Sequence, residues 1–340
     1  MNLYITGAAG WLGRQLIHNI LNGDFNHPDL EFLKDEKIHI HALLLPHETL
    51  AELESHPNST CTYNDMSSKK NCERFFEKAN DGYLIHTAGI VHPKKVSDFQ
   101  TINCEAALTV LNVAKQKGIK KAVVISSNSP LGNNENNEDL FTEESPYNPY
   151  MGYGKSKMNM EIEVAKLRSQ NFPIVIIRPP WFYGPSGPLR QTLFFNMVQK
   201  GNFPLVGDGS NMRSMVYLDN LCQGILLALT KDKANNQTYW IADERPYSMN
   251  EIIDTIKEVL KSDFQKEVSK RQIKGPSFIG VVAELMDHFL QKIGVYHQKI
   301  HVLSEMNKTI ACSIQKAKTE LNYKPTIALR EGLKKCIQTS

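Results

Sequence analysis

The sequence predicts an α/β fold, a doubly wound parallel sheet with a smaller, mainly helical C-terminal region. Two observations predict it. Up to about residue 180, short apolar runs alternate with helical patterns, which is how parallel strands joined by helical crossovers read in sequence. Beyond Ser248 the pattern is almost wholly helical. With 340 residues, 41% of them hydrophobic, the chain is long enough for one such core and a second, smaller unit.

The apolar runs expected as strands cover residues 3–6, 38–45, 60–63, 83–86, 122–126 and 174–177, and the helical patterns between them cover 10–21, 69–78, 100–117 and 153–168. After Arg178 the prolines Pro179, Pro180, Pro185 and Pro188 exclude continuous regular structure. A helix over 218–230 and a strand over 238–242 read as a return to the first layer. Ser248 is the expected cap of a helix around Ile252 to Leu260, and Asn322 to Pro325 mark a break near the end.

Composition excludes several classes. Lys and Arg number 39 against 36 Asp and Glu, and the cations are spread along the chain, so no nucleic-acid partner is expected. The six cysteines form no C-x-x-C pair or zinc-type spacing, which reads as reduced thiols and no metal site. Residues 2–6 already read as a strand with no signal segment before them, so a cytoplasmic protein is expected. The most lipophilic stretch, 278–296, is interrupted by Glu284, Asp287, His288, Gln291 and Lys292. It is too polar to span a bilayer, and an amphipathic helix covering an apolar substrate pocket is favoured over one lying on a membrane surface.

The first chemical signal is the turn after the first strand. Gly7, Gly10 and Gly13 stand three apart between a strand and an amphipathic helix. In that setting one Gly permits the turn, another lets the backbone approach a pyrophosphate, and a third allows close helix-to-strand packing, while the helix N-terminus offers the amides of Trp11 and Leu12. A Rossmann-type fold binding NAD or NADP follows. The expected division is a dinucleotide-binding part over 1–180, to which 213–245 returns, and a substrate-binding region over 181–212 and 246–340. The second strand ends in Leu43-Leu44-Leu45-Pro46-His47, with neither the acid that holds a ribose 2′-hydroxyl nor an Arg for a 2′-phosphate. The choice stays open and inclines to NAD, because a 2′-phosphate needs a firm cationic partner.

The second signal is Tyr153-Gly154-Lys155-Ser156-Lys157. Tyr153 and Lys157 are one helical turn apart and emerge on one face. Moving a hydride at a secondary alcohol also moves the hydroxyl proton, which a phenol can carry when its pKa is brought toward neutrality. That drop needs roughly 4 kcal/mol of phenolate stabilisation, within reach of a nearby ammonium in a partly dry site. Before this helix, residues 123–125 run as a strand into the Ser-rich turn Ser126-Ser127-Asn128-Ser129, whose hydroxyls would lie at the cofactor crevice.

Thr6-Gly7-x-x-Gly10-x-x-Gly13, the Ser-rich turn and Tyr153-x-x-x-Lys157 together resemble the extended short-chain dehydrogenase/reductase family, in its epimerase/dehydratase and 3β-hydroxysteroid dehydrogenase-like branch. Arg178-Pro179-Pro180 and Arg213 to Asn220 extend the likeness. The resemblance implies Ser127, Tyr153 and Lys157 as catalytic residues. It implies cofactor contacts from Asp65 and Met66, from Thr87-Ala88-Gly89, where Gly89 replaces a commoner Ala, and from Asn103. Substrate contacts would come from Ser127, Asn128 and Arg213, and a homodimer would form through helices 100–117 and 153–168.

The resemblance also sorts the reactions. Sugar dehydratases carry an Asp-Glu pair where this chain has Asn128 and Ser129, neither of which is a general acid at neutral pH, so dehydration is not expected. Tyr217, in place of a His, and Pro130-Leu131-Gly132 lean toward the steroid-type members, as does the lipophilic segment. The first expectation is an alcohol dehydrogenase or ketone reductase. The second is a nucleotide-sugar epimerase with Arg213 on the diphosphate, although Arg213 also reads as an ion-pair partner of Asp219. A non-catalytic cofactor-binding sensor or scaffold is the third.

Overall fold

The structure is a computed structural model that describes residues 1–339. Seven strands form the central sheet: β1 (Asn2–Thr6), β2 (His39–Leu44), β3 (Ser59–Tyr63), β4 (Tyr83–His86), β5 (Lys121–Ile125), β6 (Ile174–Arg178) and β7 (Thr238–Trp240). They run in the order β7-β6-β5-β4-β1-β2-β3, and every neighbouring pair is parallel. The order reverses at β1, which lies between β4 and β2, so a crevice opens above the C-terminal ends of β1 and β4.

The strands read as continuous apolar runs because both faces are covered. Successive side chains point to opposite faces, and the alternation divides one strand between two cores. Leu3 and Ile5 of β1, Val123 and Ile125 of β5, and Val175 and Ile177 of β6 belong to one cluster, which includes helices α1 (Trp11–Asn22) and Leu218–Thr230. Tyr4, Ala122, Val124, Ile174 and Ile176 point the other way, against Cys72, Phe75, helix α2 (Ala107–Gln116) and helix α3 (Met151–Leu167). A third cluster lies apart from the sheet, where helices Met249–Ser262 and Leu329–Gln338 pack together.

Several elements differ from expectation. The helix expected over 100–117 begins earlier, at Ser97–Gln100, and passes through a π-helical turn, Thr101–Ala106, before continuing as α2. The proline-rich segment contains a short strand, Trp181–Tyr183, and a helix, Leu189–Gln199, that starts directly after Pro188. Ser248 does cap its helix, accepting from the Glu251 amide at 3.1 Å, and Asn322 takes a left-handed φ of 55° at the break.

The largest correction concerns helix Phe278–Lys292. Its apolar side chains were expected to cover an internal pocket, yet Phe278, Val281, Val282, Leu285, Met286 and Phe289 are exposed while Gly280, Ala283 and Asp287 are buried. The inward face is small and polar because it must admit Asp287, which pairs with the buried His301 at 2.7 Å. Among the described residues no helix is long and apolar enough to cross a membrane.

Helix α3 buries a charged face. Glu161 is almost fully buried and accepts from Arg178 at 2.6 Å, from the Ser126 hydroxyl at 2.5 Å and from the Tyr147 hydroxyl at 2.9 Å. Losing one member of such a network leaves the other charge dry and uncompensated. Glu161→Ala should therefore lower unfolding stability by about 3 to 5 kcal/mol in urea denaturation, and pairing Glu161→Leu with Arg178→Met should recover much of that loss.

Candidate active site

The glycine turn sits at the crevice. Gly7 takes a φ of 69°, and a Cβ there would stand 2.7 Å from the Ala88 amide nitrogen. A Cβ on Gly13 would stand 2.3 Å from the Gly7 carbonyl, so only Gly lets α1 pack this close to β1. Gly10 is different. It is exposed, a Cβ there would meet only the Gly7 oxygen, at 3.1 Å, and no side chain caps the helix that begins at Trp11. The turn therefore presents open backbone and uncapped helix amides, including those of Trp11 and Leu12, a donor set that fits a pyrophosphate. The Trp11 indole donates to the Pro185 carbonyl at 2.8 Å, tying the turn to the segment after β6.

The other candidate cofactor residues line the same crevice. The Thr87 hydroxyl donates to the Thr6 carbonyl at 2.8 Å, and His86 bonds the Thr6 hydroxyl at 2.7 Å. Burial first, and then the Lys157 charge, push the His86 pKa down to about 3, so its ring is neutral. Asn103, which could have been an exposed helix residue, is buried in the π-helical turn. Its amide donates to the Ile90 carbonyl at 2.9 Å and to the Ser156 hydroxyl at 3.2 Å, and its carbonyl accepts from the Ile90 amide at 2.8 Å. It holds the irregular segment following Gly89 against α3. A Cβ on Gly89 would lie 3.1 Å from the Asn103 carbonyl oxygen and 3.5 Å from the Lys157 ammonium.

Asp65 is exposed and accepts from the Ser67 amide at 2.9 Å and from the Ser67 hydroxyl, which hold its carboxyl below the usual range. Met66 packs against the core beside it. At the end of β2 the chain turns, the Glu48 amide donating to the Leu45 carbonyl at 2.9 Å, and the Glu48 carboxylate folds back to accept from the Leu45 amide at 2.8 Å. A carboxylate thus stands at the strand end after all, three residues beyond the point where sequence places it. Arg14, at the start of α1, spends two N–H groups on the Ala9 and Thr49 carbonyls.

Ser127, Tyr153 and Lys157 converge above β5. The Lys157 ammonium is buried and donates to the Ile125 carbonyl, the last of the strand, at 2.9 Å. Burial pulls its pKa down to about 8, while Glu161 one turn along opposes the shift. Burial raises the Tyr153 phenol; the Ser127 hydroxyl and the Arg190 guanidinium pull it back, and Glu305 pushes it up. The Ser127 hydroxyl lies 3.4 Å from both the Asn128 side-chain oxygen and the Ser129 hydroxyl. Ser126 is the structural serine, spent on Glu161.

The wall facing Tyr153 combines Phe99 and His92, which sequence reading left out, with side chains of the expected substrate-binding region, of which only Arg213 was singled out. Phe99 lies 5.7 Å from the Tyr153 ring and meets Tyr296 edge-on at 5.4 Å. The Tyr296 hydroxyl bonds His92 at 2.7 Å. Burial, then the Arg190 and His301 charges, hold His92 down to about 4. The Gln291 carbonyl oxygen accepts from the Gly152 amide at 2.9 Å, joining helix Phe278–Lys292 to the first turn of α3. Arg190 makes no hydrogen bond or ion pair among the described residues. Its place at the start of a helix after Pro188 was the one sequence cue; Tyr296 and His92 carry none. Arg213 makes no ion pair with Asp219, which accepts instead from Gln15 at 2.8 Å and Asn19 at 3.0 Å. One Arg213 N–H donates to the Glu305 carbonyl, in the same wall.

Comparison with known proteins agrees with this architecture. The model of the NAD dependent epimerase/dehydratase family matches residues 3–242. An uncharacterized protein, y4nL, of Sinorhizobium fredii is 46% identical over 98% of this chain and 93% of its own length. A dTDP-glucose 4,6-dehydratase of Haemophilus influenzae is 25% identical over 99% of this chain and 97% of its own. Among solved structures, the UDP-glucuronic acid 4-epimerase of Bacillus cereus in complex with NAD superimposes with a TM-score of 0.72 at 21% identity, covering 99% of this chain and 98% of that one. The glycine turn, the seven-stranded parallel sheet and the family match over most of its length agree, and the chain belongs to the NAD dependent epimerase/dehydratase family.

Proposed function

We propose that the chain interconverts a secondary alcohol and a ketone by hydride transfer, with Tyr153 as general acid/base. The observation that carries this reading is the convergence of Ser127, Tyr153 and Lys157 at the strand end beside the open glycine turn. A nicotinamide dinucleotide bound there supplies the hydride acceptor or donor. Tyr153 takes the hydroxyl proton as the carbonyl forms and returns it in reverse. Lys157, fixed by the Ile125 carbonyl, favours the phenolate, and Ser127 orients the substrate oxygen. Residues 181–212 and 246–340 supply the substrate wall, and two copies pair through α2 and α3.

For the cofactor we favour NAD. The Glu48 carboxylate at the end of β2 can accept from a ribose 2′-hydroxyl and would repel a 2′-phosphate.

Two observations bear on the substrate. The lipophilic helix that favoured a steroid faces outward, so it lends no apolar wall to this site. Arg190 and Arg213, neither in an ion pair among the described residues, favour a substrate carrying phosphate or another anion. That supports a second reading, epimerisation of a nucleotide-linked sugar, in line with the epimerases and dehydratases among the relatives. The two readings part on the bound cofactor. Identifying the cofactor that co-purifies, then screening sterol, aryl-ketone and UDP-sugar substrates, should show a net nicotinamide absorbance change for the first reading; sugar conversion with no net change decides for the second.

Tyr153→Phe should lower turnover roughly 10²- to 10⁴-fold while leaving cofactor binding within about twofold by calorimetry. Unchanged turnover would remove the proposed chemistry. Arg190 lowers the Tyr153 pKa, so Arg190→Met should raise it, and the acid limb of the pH profile for alcohol oxidation should move to higher pH. Glu48→Ala should narrow the ratio of NAD to NADP affinity by about tenfold in the same calorimetry, and an unchanged ratio would take Glu48 out of the ribose site.

A further inference from the structure

Helix Phe278–Lys292 is turned inside out. Phe278, Val281, Val282, Leu285, Met286, Phe289 and, just beyond the helix, Ile293 recur at intervals of three and four and form one outward stripe, with Leu285 68% and Phe289 62% exposed. Val295 and Val302 extend it. A shallow groove of about 170 Å³ runs between Ile279 and Met286 on one side and Ile300 and Leu303 on the other. A contiguous apolar face of this kind, on a chain in which no helix among the described residues is long and apolar enough to cross a membrane, calls for an occupant.

Charge says which. The two acids of the helix are both withdrawn from the face: Glu284 pairs with Lys308 at 2.6 Å, and Asp287 is buried against His301. From residue 271 to residue 299 every exposed charged side chain is a cation, namely Arg271, Lys274, Lys292 and Lys299. Lys94 and Lys95 are exposed as well, and Lys95 is bridged to Val295 at the stripe's end. A second copy meeting this face about a two-fold axis would bring the same cations together with no exposed acid in the segment to answer them. An anionic bilayer offers acyl chains for the stripe and phosphates for the lysines.

We propose that this face docks the protein on the surface of an anionic phospholipid bilayer, with helix Phe278–Lys292 lying in the interface plane. Because Gln291 bonds the first turn of the helix carrying Tyr153, the docked element is part of the wall of the candidate site. The proposal does not depend on which reaction that site performs.

Vesicle co-sedimentation of the full chain tests it, using phosphatidylcholine vesicles with and without phosphatidylglycerol. The protein should bind the anionic vesicles at least about tenfold more tightly than the neutral ones, and less tightly at high salt. Leu285→Glu with Phe289→Glu should weaken binding by about tenfold or more with an unchanged thermal melt, since both side chains are exposed. Lys292→Glu with Lys299→Glu, which leaves the stripe intact, should abolish the preference for anionic vesicles. Failure of the unaltered protein to bind anionic vesicles would overturn the proposal. So would a charged-stripe variant that binds vesicles as before, or one that instead falls to a smaller oligomer in light scattering, which would make a second copy the occupant.

Discussion

The site depends on how the charged face of helix α3 is buried. Lys157 and Glu161, one turn apart, both enter the interior, and each needs a partner the sheet provides: the Ile125 carbonyl for the ammonium, Arg178 for the carboxylate. Both partners are strand ends, of β5 and β6, so the same bonds that compensate buried charge also fix the height and rotation of the helix. Tyr153, on the preceding turn, is thereby set above the crevice. A buried pair contributes little net stability over an apolar equivalent, but here it locks geometry at the place of the proposed proton transfer.

Around that fixed point the two halves of the site are built differently. The cofactor side is made of backbone. Open amides at the glycine turn and the short approaches that require Gly7 and Gly13 give a surface suited to phosphate. The opposite wall is made of long side chains from distant segments: Phe99, His92 and Tyr296 in ring and hydrogen-bond contact, with Arg190 and Arg213 contributing positive charge. Burial raises the Tyr153 phenol, and the nearby Arg190 charge and Ser127 hydroxyl work against that rise.

Much of this was legible in the chain. The alternation of apolar runs gave the sheet because a strand covered on both faces has few polar positions, and the Gly spacing marked the turn because no other residue tolerates those approaches. Tyr153 and Lys157 were legible as neighbours because helix geometry is local. Glu48 was not, since its carboxylate reaches the end of β2 only through the turn that reverses the chain at Leu45. Asn103 showed no sign of burial in sequence, because a π-helical turn shifts which residues face inward.

Helix Phe278–Lys292 marks the limit most clearly. Its sequence fixed that it is amphipathic, and periodicity says nothing about which face meets the protein. The outcome was decided by partners far away in the chain: His301 for Asp287, Lys308 for Glu284 and Gly152 for Gln291. Satisfying those polar groups turned the apolar stripe to the outside. Sequence alone thus determined the sheet, the glycine turn and the Tyr-Lys pair, all products of local geometry. Only tertiary structure decided which charges are compensated, that the Arg190 guanidinium acts on Tyr153 and which way the last amphipathic helix points, because each of these depends on partners that sequence distance conceals.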